Sequence, residues 1–371
     1  MIWFFVFMFI LYAILIIALA FGFTKVYEFE AENLESKTSF SVIIPFRNEA
    51  KNLPQLLKSI SLLNYPKELV DFIFVDDASS DDSVKVIEDI LPNNKMSINV
   101  IENNRTSNSP KKDAITTAIS IAKNNWIITT DADCVLPENW LNIFDSFIQT
   151  TNPKMVVAPV NYIAINNFLE QFQLLDFMSL QGTTIGGFGM GYPFMCNGAN
   201  LAYKKSAFLK LNGFEGNNTI ASGDDVFLFE KFLESNKESV KFLKSKEAVV
   251  VTFPVKTWNS LINQRVRWAS KTSRFKDSKV KLIGLLVFLI NLVILFSLFY
   301  FDNLLFIFLP ITAKLIIDLF LFIPTINFYK HKKAFYKWYL FCSFFYPFFS
   351  VFIVFKSIFS KYNWKGRSFK K

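Results

Sequence analysis

The sequence predicts an α/β domain on a mainly parallel sheet, set between helices long enough to cross a membrane. Three observations predict it. From Ser41 to about Ala248, short apolar runs alternate with amphipathic, helix-patterned stretches. Apolar runs of spanning length fill residues 2–23 and recur beyond Val280. Hydrophobic residues make up 52% of the 371 and mean hydropathy is +0.30, too apolar for an ordinary soluble domain.

The first element is the uncharged run IWFFVFMFILYAILIIALAFGF. A spanning helix needs about 20 residues, which this run supplies. Ala18-Leu19-Ala20 imitates a signal-cleavage site, but no basic residue precedes the run and it exceeds a usual signal h-region. A retained anchor over residues 1–24 is the expectation. Five strand-like runs follow: Ser41–Pro45, Asp71–Val75, Ser97–Ile101, Trp126–Thr130 and Met155–Pro159. Helix starts are expected at Asn48, at Ser80 before Asp81-Asp82, and at Ser109 with Pro110 in the first turn. In sheets of this kind the ligand site lies beyond the carboxyl ends of the strands, which is where the polar clusters of this chain fall.

The third part begins near Val280. Leu282–Phe301 and Leu304–Phe328 are separated by Asp302-Asn303, a hairpin turn. A basic loop follows, with Lys330, His331, Lys332, Lys333 and Lys337, then a run from Trp338 to Phe355 that contains Pro347, then a Lys-rich tail. Basic segments favour the inner side of a membrane. A full third span would put the basic tail outside, so either Pro347 breaks this run into a re-entrant or interfacial helix, the favoured expectation, or the tail is external.

Charge and composition narrow the function. The formal net charge is +9, with lysines beside the apolar runs, which suits an anionic membrane surface. No nucleic-acid signature accompanies it, and no nucleic-acid partner is expected. The three cysteines are scattered and odd in number, which argues for a reducing compartment without disulfides. A single histidine, His331, excludes a histidine-based triad or zinc centre.

Four clusters carry chemistry. Asp76-Asp77 and Asp131-Ala132-Asp133 each leave the end of a buried strand. Carboxylates so close repel unless a cation compensates, and a hard divalent ion holding substrate phosphates would do so. Turn formation and helix capping explain either pair alone equally well; two pairs at equivalent strand ends favour a site. Asp224-Asp225 opens a helix after a Gly-containing loop, as a cap or as a general base. Gln264, Arg267 and Trp268 fall within about a turn of an amphipathic helix. They suit a diphosphate clamp with a stacking ring, or an interfacial helix at headgroup level; spacing alone favours the latter. Lys111 and Lys112 stand at a helix start, as phosphate partners or as a solvated face. Asn197-Gly198-Ala199-Asn200 is a turn, or a place where backbone approaches a ligand. Lys314 and Asp318, four apart in an apolar run, are expected to neutralise each other.

Together these stretches resemble the family 2 glycosyltransferases, in the membrane-bound subgroup marked by D, D, D and QxxRW. SVIIPFRNEA, VDDASSDDS, KKDAI, TDADC, CNGANLAY, SGDDVFL and QRVRW occur in the family's order, followed by WKGR at Trp364–Arg367. The resemblance implies a Rossmann-like GT-A domain for nucleotide-diphospho-sugar donors, with transmembrane helices at both ends. It divides the chain into an anchor (1–24), a GT-A catalytic domain (38–250), an interfacial region with QxxRW (251–279), and membrane segments with a basic tail (280–371).

By that resemblance Pro45, Arg47 and Glu49 line the nucleotide loop, and Asp76 and Asp77 contact base and ribose. Lys111 matches a family lysine, with Pro110 in place of the usual glycine. Asp131 and Asp133 match DxD, on the nucleotide and on Mg or Mn, Asp133 being the direct metal ligand. Asp225 matches the catalytic base of a TED motif whose first two residues are Gly223-Asp224 here, leaving Asp224 beside the base. Gln264, Arg267 and Trp268 match QxxRW, and Asn197, Gly198 and Asn200 fall where the acceptor would be met. The implied activity is inverting transfer of a sugar, from a UDP-sugar by resemblance, to a lipid or glycan acceptor at the cytoplasmic face of a multi-pass inner-membrane protein. Two alternatives stand beside it: a processive polysaccharide synthase and a non-catalytic membrane scaffold.

Overall fold

Strand β1 (Phe40–Phe46) is buried at every position except Pro45, as a strand covered on both faces must be. In the computed structural model, which describes residues 2–32, 34–90, 96–163, 167–217, 222–272, 274–359, 362–365 and 367–369, the chain forms two compact units. One comprises Tyr27–Tyr162 and Met195–Phe253; the other comprises Met1–Val26, Ile163–Phe194 and Pro254–Lys371.

The first unit is an α/β domain. β1 pairs in parallel with β2 (Val70–Asp76) and β4 (Trp126–Thr129), and β2 pairs in parallel with β3 (Ser97–Glu102). β7 (Leu201–Lys204) runs antiparallel to both β4 and β5 (Met155–Val157), and β8 (Val240–Phe242) lies parallel to β5. The order is β3-β2-β1-β4-β7-β5-β8, with β7 alone reversed, so the sheet is mixed but mainly parallel, as expected. A two-stranded sheet pairs β6 (Val160–Tyr162) with β9 (Val250–Thr252). Helices α2 (Leu53–Ser61), α3 (Ser83–Ile90), α4 (Pro110–Ile121), α5 (Trp140–Thr151), α7 (Lys205–Lys210) and α8 (Asp224–Asn236) complete the unit.

All five strand-like runs are strands, but two helix starts differ from expectation. Asn48 is left-handed (φ +52°), a conformation that cannot begin a right-handed helix, and α2 starts at Leu53. Ser80 gives way to Ser83, because the Asp81 carboxylate accepts from the Ser83 N–H and from the Ala50 N–H of the preceding loop. α4 starts at Pro110 as expected, although the Ser109 side chain makes no capping bond.

The second unit is helical. It holds α1 (Ile2–Lys25), α6 (Phe168–Gly189), α9 (Trp258–Thr272), α10 (Ser278–Tyr300), α11 (Leu304–Tyr329), α12 (Lys332–Phe359) and a hairpin of β10 (Tyr362–Trp364) and β11 (Arg367–Phe369). Trp3–Lys25, Ser278–Tyr300, Leu304–Tyr329 and Lys332–Phe359 are each long and apolar enough to cross a membrane. α6 fell inside the sequence-based 38–250 domain, yet it packs with α1, α11 and α12. Small residues permit this: a Cβ on Gly189 would lie 1.7 Å from the Gly22 carbonyl oxygen, so the two backbones touch. Phe172 and Leu175 of α6, Leu261 and Val266 of α9, and Phe335, Tyr339 and Phe349 of α12 share one apolar core.

Asn303 caps α11 through the Leu305 N–H, and α10 packs on α11, as a hairpin turn between them requires. Lys314 and Asp318 pair as expected, and the Tyr12 hydroxyl of α1 donates to Asp318 at 2.6 Å. Pro347 does not break its helix. α12 runs unbroken through it, because one lost backbone bond is tolerated where the proline is buried among neighbouring helices. The hairpin that follows packs β10 against α9.

Candidate functional site

The site is built at the carboxyl ends of β1, β2, β3 and β4. Arg47, just past β1, donates through its NH1 to the backbone carbonyl of Asp77 at 2.5 Å and also to that of Ala78. Glu49 donates its N–H to the Ser83 hydroxyl at 2.8 Å and accepts from Asn52 at 2.6 Å. Asp76 closes its own turn by accepting from the Ser79 N–H at 3.0 Å. Asp77 is buried, its Oδ1 accepting from Asn103 Nδ2 at 2.8 Å with Arg105 at 3.5 Å. Asn103 Nδ2 also donates to the Pro110 carbonyl at 3.0 Å, which ties the ends of β2 and β3 to the start of α4. Pro45 sits half-buried on β1.

The first turn of α4 presents Lys111. Its Nζ lies 2.7 Å from Asp131 Oδ1 and 3.2 Å from Asp224 Oδ2. Burial alone would lower the ammonium pKa, but Asp131 and Asp224 outweigh it and hold it above the ordinary lysine range. Asp225 is fixed from two sides: Oδ1 accepts from the Val226 N–H at 2.8 Å and Oδ2 from the Gly198 N–H at 3.2 Å. Thr129, the last residue of β4, donates to the Gly198 carbonyl at 2.9 Å. A Cβ on Gly198 would lie 3.2 Å from both Asp224 Oδ2 and Asp225 Cβ, so only glycine admits the approach without displacement. Gly223, at φ +83°, supplies the left-handed entry to α8. Lys111, Asp131, Gly198, Asp224 and Asp225 therefore form one cluster.

Asp133 Oδ1 is 3.9 Å from Cys134 Sγ. Burial first, then the charges of Asp133 and Asp131, push the Cys134 thiol well up. Among the described residues no group of three Asp, Glu, His or Cys side chains forms a metal cage. Two carboxylates on one loop nonetheless suit a hard ion such as Mg or Mn, which takes one or two protein ligands and completes its shell with water and substrate phosphates. The donor set fits such an ion.

Two expected roles are corrected. Asn200 is fully buried: Nδ2 donates to the Pro159 and Ala248 carbonyls, each at 2.8 Å, and Oδ1 accepts from Trp140 Nε1 at 3.0 Å. Its hydrogen-bonding groups are engaged within the fold, so it is not an acceptor contact. Lys112 is likewise internal, donating to the Asn217 carbonyl at 2.6 Å. Asn197 accepts from the Ala199 N–H at 3.0 Å and shapes the turn that delivers Gly198.

In the helical unit, α9 carries Gln264, Arg267 and Trp268 half-buried, with Arg265 buried between them. Arg265 pairs with Asp176 of α6 at 2.6 Å and stacks over Trp268 at 4.1 Å. One face of Trp268 is thereby already covered. Sequence reasoning missed Asn103, Thr129, Arg265 and Asp176. Arg265 stood at an unassigned position of its own motif, and the others look like ordinary strand-end or helix residues.

Residues 41–211 match the model of Glycosyl transferase family 2. Over those residues the sheet domain is similar to glycosyltransferase family 2. The chain is similar to the probable glycosyltransferase YdaM of Bacillus subtilis, 24% identical over 243 residues, or 64% of this chain and 56% of that protein. It is also 24% identical over 236 residues to the poly-beta-1,6-N-acetyl-D-glucosamine synthase of Staphylococcus epidermidis, covering 62% of this chain and 53% of that one. The chain thus spans about half the length of these relatives. In fold it resembles the mannosyltransferase PcManGT from Pyrobaculum calidifontis, solved in complex with GDP-Man and Mn2+. That likeness has a TM-score of 0.56 at 14% identity and covers 95% of this chain and 96% of the other. The fold is GT-A, with long apolar helices at both ends.

Proposed function

We propose that the protein is an inverting glycosyltransferase that moves a sugar from a nucleotide-sugar, a UDP-sugar in our reading, to a lipid or glycan acceptor at the cytoplasmic membrane face. The observation that carries this reading is the Lys111 bridge, which brings the DxD loop at Asp131 against the Asp224–Asp225 helix start. A donor-binding carboxylate and a candidate base then lie beside one another, as single displacement requires.

Asp225 takes the acceptor hydroxyl proton while that oxygen attacks the anomeric carbon, and the sugar inverts. The N–H groups of Val226 and Gly198 orient its carboxylate, and Lys111 balances the neighbouring charges of Asp131 and Asp224. Asp133 and Asp131 would hold Mg or Mn, which when bound neutralises the departing diphosphate. Arg267 stabilises the charge that grows on this leaving group, Gln264 and Trp268 meet the sugar, and Pro45, Arg47, Glu49, Asp76 and Asp77 form the nucleotide cradle. Asn197 and Gly198 remain on the acceptor side.

The helical unit supports an inner-membrane location with three crossings. A 28-residue helix is about 42 Å long, so a fully crossing α12 would leave β10 a membrane's width from α9. β10 instead packs on α9, which favours an α12 that enters and stays on the α9 side, keeping the basic tail inside.

A processive synthase is the second reading, favoured by the relative named as a polysaccharide synthase. Product length separates the two: one added sugar on an extracted lipid, or a polymer ladder. The primary test is a panel of nucleotide-sugars offered to purified membranes with Mn or Mg, reading released nucleoside diphosphate. Release is expected from one donor class; no release above that of an Asp225→Asn protein, with any donor, overturns the proposal.

A further inference from the structure

Arg265 of α9 makes three side-chain contacts at once. Its Nε donates to Asp176 Oδ2 at 2.6 Å, with both side chains only 7% exposed. Its NH1 donates to Gln264 Oε1, and its guanidinium carbon stands 4.1 Å from the Trp268 ring centroid. One planar group therefore contacts two of the three residues of the QxxRW pattern while a carboxylate from another helix fixes the plane. Asp176 is itself held in place, since Phe172 and Leu175 of its helix share a core with Leu261 and Val266 of α9.

Stability is a weak account of this pair. A buried ion pair adds little over apolar residues of the same volume, because desolvation offsets its attraction. What apolar residues cannot reproduce is the fork that bonds an amide while its face covers an indole.

We propose that Arg265, clamped by Asp176, is a positioning residue that sets the rotamers of Gln264 and Trp268 before a sugar nucleoside diphosphate arrives. The inference rests on the function proposed above. Pre-set side chains lose less freedom when the ligand binds, and misplacement by about 1 Å can cost on the order of 100-fold in rate.

The test uses the full chain in lipid nanodiscs, with Arg265→Lys and the paired Arg265→Met/Asp176→Leu, which removes both charges but keeps volume. Three readouts are taken: melting temperature, kcat and donor KM, and the emission of Trp268, obtained by subtracting each protein's Trp268→Phe counterpart. The paired variant should melt close to the parent, lose roughly 10- to 100-fold in kcat, and show altered Trp268 emission. Arg265→Lys should keep the charge yet show both defects, since an ammonium cannot bond and stack at once. A folded paired variant with parental kcat and parental Trp268 emission overturns the proposal. If the paired variant does not fold, Arg265→Lys decides by the same two readouts. Should the parent transfer no sugar from any donor, the functional reading falls, while the Trp268 emission still decides the positioning role.

Discussion

Lys111 Nζ sits 2.7 Å from Asp131 Oδ1, so the first turn of α4 is locked to the loop that leaves β4. The same ammonium reaches Asp224 at 3.2 Å, and one cation thus balances carboxylates from two distant parts of the chain. Lys111→Met should leave Asp131 and Asp224 unbalanced. The expected result is a fall in kcat/KM of about 10- to 100-fold, a few kcal/mol of lost charge pairing. Mn2+ titration of nucleotide binding should show a shifted midpoint, and an unchanged midpoint with unchanged kcat/KM would remove Lys111 from the site.

Asp225 and Asp133 should separate chemistry from binding. Asp225→Asn should lower kcat by roughly 10²- to 10⁴-fold, the range for a lost general base, with nucleotide affinity near normal. Asp133→Ala should weaken metal-dependent nucleotide binding instead. Calorimetric titration beside turnover distinguishes the two.

Gly198 reports on the distance between backbone and base. In Gly198→Ala the new Cβ meets Asp224 Oδ2 and Asp225 Cβ at 3.2 Å, a tight contact relieved by shifts of tenths of an ångström. Turnover should fall by about tenfold with donor KM little changed. Gly198→Val should lose far more, read by the same kinetics.

Asn200 should behave as a structural residue. Asn200→Ala strands two carbonyls and the Trp140 N–H in a dry interior, a loss of about 3 kcal/mol. A lower melting temperature with unaltered acceptor KM is the expected pattern; a raised acceptor KM at unchanged stability would restore the acceptor role.

The Tyr192–Asp277 contact gives a pH dependence in the helical unit. The hydrogen bond from Tyr192 holds the Asp277 carboxyl below its ordinary value, while burial and Asp277 push Tyr192 up to about 12. A depressed carboxylate stabilises above its unfolded pKa of about 3.9 and loses this as pH falls through the depressed value. A raised tyrosine stabilises below its unfolded pKa of about 10 and loses this as pH rises through about 12. Asp277 also caps α10 through the Lys279 N–H. Asp277→Ala should therefore cost about 1 kcal/mol at every pH from 5 to 9, with the gap closing toward pH 3 in thermal melts.

Much of this protein was legible without a fold. Period and polarity suffice for strands such as Asp71–Val75 and for the apolar helices, because burial on both faces or in lipid leaves a continuous hydrophobic run. The strand-end carboxylates Asp77 and Asp131 could be found because two charged pairs follow such runs at equivalent strand ends, where either pair alone would pass for a turn or a cap. Helix starts at Asn48 and Ser80 were misplaced, since a left-handed residue and a loop-bridging Asp81 are tertiary outcomes invisible to cap statistics. Asn200 and Lys112 looked available, and only packing revealed that their polar atoms are consumed inside. The sequence by itself determined which charged and polar residue types stand at the strand ends and where the apolar spans lie, because those depend on local chemistry and length. Tertiary structure alone decided that Lys111 joins Asp131 to Asp224, that Gly198 abuts Asp225 and that Arg265 meets Asp176. Those contacts join residues far apart in the chain, and their distances are set by how sheet and helices pack rather than by spacing in the sequence.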